Sequence, residues 1–247
     1  MDVGGFRVVL LGVCPLSQRT LTEQMNRAVR HYDLGALPRL PGSFLTFVRT
    51  PYSTYAAGDV TGVQRLHLSP AGVADSRPGQ TTTPLAEATG AHLHDDGAIR
   101  VEPYWSPPLP QVPATLTGPL LGMRLRMAVA ARADLLGASE AVVDEAVAAL
   151  LRDRPTTLSG PRGRIELASA GFDALFRALP AATTRRSSPR LCLARAEAAR
   201  QAGAVCTASC LRLPMLDAHV VAAALSTRER DIRRGRLQEQ VQRAHRA

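Results

Sequence analysis

The apolar positions of the first hundred residues come in short runs. Phe6-Arg7-Val8-Val9-Leu10-Leu11-Gly12-Val13, ended by Gly and Pro, reads as a buried strand. Ser17 or Thr20 is placed to cap the next segment, and Glu23, three residues beyond Thr20, completes a capping-box pattern. A helix then follows through Leu21, Met25, Ala28 and Val29, spaced about one turn apart. Leu34 to Leu40 is a Pro-interrupted connection. Two strands are expected at 42–48 and 53–60, joined by a turn at 49–52, and a third at Val63 to Ser69. Residues 70–90 are turn-rich. Ala91 to His94 and Ile99 to Trp105 flank Asp95-Asp96-Gly97, the signature of a hairpin.

The rhythm changes past Ser106. Ser106 to Pro119 holds five prolines and reads as a linker. Beyond it the spacing is helical over Leu120 to Leu136 and Ser139 to Leu151, the latter capped by Ser139. Ser159 to Arg164 reads as a Gly-rich loop leading into Ile165 to Ala168. Further helices are expected at Asp173 to Ala178, Leu191 to Ala202, Asp217 to Leu225 and Arg228 to Arg246. No internal repeat is visible. Strand, helix and antiparallel meander, followed by helices, predict an α+β layered module and a mainly helical second half.

Composition narrows the function classes. The 247 residues carry 30 basic and 21 acidic side chains, a formal charge of +9, and every basic residue is arginine. With no ε-ammonium, a Schiff base or a phosphate-binding lysine is excluded for this chain alone. The all-arginine usage fits a GC-rich genome, and 45% hydrophobic residues fit a globular protein. The longest apolar run is too short to span a bilayer, and no secretory signal is visible, so a cytoplasmic protein with reduced thiols at Cys14, Cys192, Cys206 and Cys210 is expected. Aromatics make up only 4%, and the tail from Arg228 to Arg246 mixes charge signs. An arginine-rich nucleic-acid-binding protein is therefore a minority reading.

Several segments, in order, resemble the asparagine synthetase family, and within it the actinobacterial lasso-peptide cyclases (macrolactam synthetases). Leu40-Pro41-Gly42-Ser43-Phe44 and Gly58-Asp59-Val60-Thr61-Gly62-Val63-Gln64-Arg65-Leu66-His67 resemble the strand pair of the class II amidotransferase-like domain. Gly90-Ala91-His92-Leu93, Asp96-Gly97 and Tyr104-Trp105-Ser106-Pro107-Pro108 resemble its connection into the second domain. Ala170-Gly171-Phe172-Asp173-Ala174-Leu175-Phe176 and Arg212-Leu213-Pro214-Met215-Leu216-Asp217 through Leu225 resemble synthetase motifs. The resemblance covers about two-thirds of the chain. It implies an Ntn-type layered domain at 1–108, a Pro-rich linker at 109–119, and a shortened, mostly helical asparagine-synthetase-like domain at 120–247.

The departures from the family are as informative. Its glutaminases carry a cysteine after the initiator Met, where this chain has Asp2. Its ATP-pyrophosphate loop, with glycines that let backbone N–H groups approach phosphate, is represented only by Leu158-Ser159-Gly160-Pro161-Arg162-Gly163. Pro161 removes a donor there and no Asp follows at the needed place. The stretch from that loop to Asp217 is shorter than in active members, and the family's C-terminal lysine has no counterpart. These losses imply an accessory protein or pseudoenzyme of peptide natural-product biosynthesis, binding a precursor peptide or a full-length synthetase. The alternative is an active ATP- and Mg²⁺-dependent amide synthetase. Its arginine-built phosphate site would use Ser159, Gly160, Arg162 and Arg164, with Asp173 as the catalytic candidate.

Other residues read as structure. His92 and His94 share one strand face and Asp95-Asp96-Gly97 is turn chemistry, so no metal site is assigned. Asp217 is expected to cap the helix that starts at Ala218. No G-x-S-x-G elbow anchors a hydrolase reading.

Overall fold

The computed structural model describes residues 2–3, 5–62, 64–69, 74–75, 82–86, 88–106, 108, 111–169, 175 and 211–244. Contacts divide the chain into two units, Met1–Ser106 and Pro107–Ala247. The architecture is mixed α+β, with every paired strand antiparallel. Asp173, Cys192, Cys206, Cys210 and the helices expected at 173–178 and 191–202 lie outside the described residues, Leu175 excepted.

In the first unit, β1 (Asp2–Val3), β2 (Phe6–Val13), β3 (Ser43–Arg49), β4 (Ser53–Ala57), β8 (Thr89–His94) and β9 (Ile99–Pro103) form a six-stranded sheet in that order. Three short strands, β5 (His67–Leu68), β6 (Ala74–Asp75) and β7 (Thr83–Pro84), make a second small sheet. The strand expected over 63–69 thus shrinks to a pair of residues. Helix α1 (Gln18–Arg30) starts at Ser17, whose Oγ accepts the Thr20 N–H at 3.2 Å. The capping box expected from Thr20 and Glu23 does not form, because Ser17 is the cap and Thr20 lies inside the first turn; the Glu23 carboxylate pairs with Arg19. The Leu34–Arg39 connection is a 3-10 helix packed on β3.

The register explains which face is core. Phe47, Ala56 and Ala91 lie in one row across the sheet, and Ala56 and Ala91 cluster with Leu45, Leu66 and Leu85, with Phe47, Leu68 and Leu93 packed around them. Val8, Val48 and Tyr55 face the opposite way and are buried too. β2 is therefore not the fully buried strand its run of apolar residues predicts. Alternation sends Val9 and Leu11 to the other face, where they are 37% and 52% exposed.

The second unit is organised around α2 (Ala114–Leu136), which packs against α3 (Glu140–Leu151), α4 (Ala218–Leu225) and α6 (Arg236–Ala244). Its buried residues, from Ala114, Thr117, Gly118 and Leu121 to Ala133 and Leu136, recur at three- and four-residue steps and so share one face of the helix. Residues 114–119, expected as linker, belong to this helix. Its first turn is secured from far along the chain: Asp231, in α5 (Glu229–Arg233), accepts the Ala114 N–H at 3.3 Å, and Val112 N–H donates to Ser226 O at 2.9 Å. Gly118 has no Cβ to meet Gln240, which would lie 2.7 Å away. The supposed Gly-rich loop is a hairpin, β10 (Thr156–Gly160) and β11 (Gly163–Leu167), turning at Pro161-Arg162.

Candidate functional site

A cleft of about 470 Å³ opens on the first unit, within the size range of small-ligand sites. One wall is the end of α1 and the 3-10 helix, giving Tyr32, Asp33, Leu34, Gly35 and Arg39. The other wall is the sheet, giving Ser53 from β4, His92 and His94 from β8, and Arg100 and Glu102 from β9. Antiparallel register sets this row: Ser53 pairs with His94, and His92 with both Tyr55 and Arg100.

Each wall carries an ion pair. Arg39 Nη2 donates to Asp33 Oδ2 at 2.8 Å. Across the cleft, the Glu102 carboxylate meets His92 Nε2 and Arg100 Nη2, both at 3.2 Å. Pairing a carboxylate with an imidazole nitrogen orients the ring. The His92 ring also lies 4.9 Å from that of Tyr55 and 6.5 Å from that of His94. Tyr55 is 1% exposed, and its buried hydroxyl has no hydrogen-bond partner among the described residues. Burial pushes that phenol well above its ordinary pKa, and the Glu102 and Asp33 carboxylates add to the shift. The Tyr55 ring runs over Gly90, where a Cβ would come within 2.4 Å of its hydroxyl oxygen. Three of the four tyrosines (32, 55, 104) and two of the six histidines thus gather at or beneath one cleft.

The Gly58–Gln64 motif is structural and supports the cleft from behind. Asp59 is buried and accepts Ser43 Oγ–H at 2.5 Å, Thr61 Oγ1–H at 3.3 Å and the Gln64 N–H at 3.2 Å. Asp59 N–H returns a bond to Gln64 O at 3.1 Å, so the turn closes on itself. The Tyr104 hydroxyl donates to Gly58 O at 2.8 Å, and burial raises the Tyr104 pKa well above the ordinary value. Tyr104 is thereby fixed as a cleft residue through its partner in the motif.

The phosphate-loop candidates are placed otherwise than in a cradle. Ser159 and Arg164 are paired across the hairpin, as are Gly160 and Gly163. Gly160 lies so close to the C-terminus of α2 that a Cβ would be 2.4 Å from Leu136 O. Arg162 N–H donates to Leu136 O at 3.0 Å, while its side chain reaches Asp134 O at 3.5 Å. Gly137, left-handed at φ 66°, completes the helix end with Ala138 N–H on Ala133 O at 3.0 Å. These backbone groups satisfy carbonyls at a helix terminus whose partial charge is negative. Asp173 lies outside the described residues.

Asp217 occupies the N-cap position of α4, but its side chain makes no capping bond. It instead holds Arg132 of α2 in a bidentate pair at 2.7 and 2.9 Å, both side chains 0% exposed. Arg132 also donates to Ala128 O and Leu211 O. His92, His94, Asp95 and Asp96 do not converge: Asp95 binds Arg49 and Asp96 accepts the Ala98 N–H. Among the described residues no group of three or more His, Cys, Asp or Glu is placed to hold a metal. Sequence reasoning missed Asp33, Arg39, Arg100 and Glu102. Period-two alternation from His92 would have found the strand residues, while Asp33 and Arg39 sit on a 3-10 turn that has no such signal.

No protein-family model matches the chain, and no curated protein matches it. Among solved structures it is similar to an allosteric regulatory enzyme of purine biosynthesis, at 11% identity and TM-score 0.31 over 78% of this chain and 43% of that one. It is also similar to glutamine phosphoribosylpyrophosphate amidotransferase from B. subtilis, complexed with ADP and GMP, at 11% identity and TM-score 0.30, over 79% and 44% of the two chains. The chain spans less than half the length of either.

Proposed function

We propose that this chain is a peptide-binding accessory protein, an asparagine synthetase/lasso cyclase-like pseudoenzyme of peptide natural-product biosynthesis, which holds a precursor peptide. The observation that carries this reading is the first-unit cleft. Charged, aromatic and hydrogen-bonding side chains are presented there by strands in fixed register and by a packed 3-10 helix. Such a surface offers both charge signs and flat rings to the backbone and side-chain polar groups of a bound peptide.

Two features support assigning no ATP chemistry. The chain has no lysine to place against a departing pyrophosphate. The segment resembling a phosphate loop lends its backbone N–H at Arg162 to a helix carbonyl, and a phosphate there would face the negative end of α2. Among the described residues no helix is long and apolar enough to cross a membrane. Incubating the purified chain with ATP, Mg²⁺ and a candidate peptide, and following pyrophosphate release and peptide mass, tests the proposal. Peptide binding without release is the expected result; ATP-dependent amide formation overturns it.

A further inference from the structure

The two ion pairs of the cleft are incompletely used. Asp33 presents Oδ2 to Arg39, and among the described residues its other oxygen, Oδ1, has no hydrogen-bond partner. Arg100 touches Glu102 through Nη2 alone and its side chain is 75% exposed, leaving most of the guanidinium fork open. His94 adds a ring nitrogen on the same wall. The two carboxylates and two guanidiniums of the lining, Asp33, Glu102, Arg39 and Arg100, sum to zero. A ligand of one sign meets as much repulsion as attraction in such a site. A ligand of both signs, placed the right way round, meets attraction at each end.

Resting on the peptide-binding reading and narrowing its ligand from a precursor to a free peptide of a few residues, we infer that the cleft binds such a peptide by its two charged termini, the ammonium at Asp33 and the carboxylate at Arg100 and His94. Arginine suits a carboxylate because its planar fork can engage both oxygens. The cleft volume equals roughly fifteen waters of liquid, room for a few residues and not for a folded partner. Tyr32 at the rim and the His92 ring supply flat surfaces for the segment between the termini.

The test is calorimetric titration of the full chain with the tripeptide Ala-Tyr-Ala in four forms: free, N-acetylated, C-amidated and doubly blocked. The free form is expected to bind about tenfold tighter than either singly blocked form, and more tightly still than the doubly blocked one. In Arg100→Gln the penalty for amidation should vanish while the penalty for acetylation stays; in Asp33→Asn the reverse should hold. Both substitutions fall on exposed side chains, and circular dichroism confirms that the variants are folded. Dependence on only one terminus, or penalties indifferent to both variants, overturns the dipolar assignment. Equal affinity for all four forms overturns it while leaving peptide binding in place. Binding by none overturns both readings.

Discussion

Replacing Asp217 by alanine removes the carboxylate that faces the wholly buried Arg132 guanidinium. The lost contacts are the bidentate pair at 2.7 and 2.9 Å, and the bonds to the neutral carbonyls of Ala128 and Leu211 survive. Breaking a buried ion pair in this way costs about 3–5 kcal/mol, because desolvation of the surviving ion is no longer offset. At about 2–4 °C per kcal/mol for a chain of this size, the melting temperature should fall by roughly 6–20 °C. Thermal melts followed by far-ultraviolet circular dichroism read this directly. The double variant Arg132→Met, Asp217→Leu removes both charges and fills similar volume, so it should melt well above Asp217→Ala. A single variant within about 0.5 kcal/mol of wild type, the range of ordinary surface changes, would show that the buried pair does not hold the second unit together. So would a double variant no better than the single one.

Three further outcomes are expected. Tyr55→Phe removes a buried hydroxyl that has no partner, so stability should be unchanged or rise by about 1 kcal/mol; a loss above that in chemical denaturation would show a partner for the hydroxyl. Gly160→Ala forces a Cβ against the Leu136 carbonyl and should cost about 1–3 kcal/mol, whereas Arg162→Ala keeps the capping N–H and should melt close to wild type. Burial lowers the His219 pKa, its Nε2 bonded to Arg124 O and its Nδ1 without a partner. The unfolded state therefore binds the extra proton as pH falls through the ordinary histidine range, and stability should decline there. His219→Gln should flatten that decline in denaturant midpoints measured between pH 7 and pH 5.

The strands of the first unit were legible because period-two patterning and a turn such as Asp95-Asp96-Gly97 are local signals. The extent of burial was not. Val9 and Leu11 look like core in sequence, yet the pleat turns them to a face whose cover depends on strands distant along the chain. In the second unit, Pro113 and Pro119 argued for a linker. The helix begins at Ala114 because Asp231 and the Val112 bridge, over a hundred residues away in sequence, stabilise its start. Ser159 to Arg164 resembled a phosphate loop because glycines serve equally for close approach to phosphate and to a helix carbonyl. Only the position of Leu136 O distinguishes them. The cleft was half legible: His92 and Tyr104 stood in recognised motifs, whereas Arg132 with Asp217, and Asp33 with Arg39, are pairings that only the folded chain creates.

The measurement that bears most directly on the central claim is calorimetric titration of ATP with Mg²⁺ into the purified chain, with pyrophosphate as competitor. The account predicts no saturable heat, since the hairpin at Ser159 to Arg164 serves the end of α2. Saturable binding that pyrophosphate displaces and Arg162→Ala abolishes would contradict it, and would place a working nucleotide site where a helix cap is described.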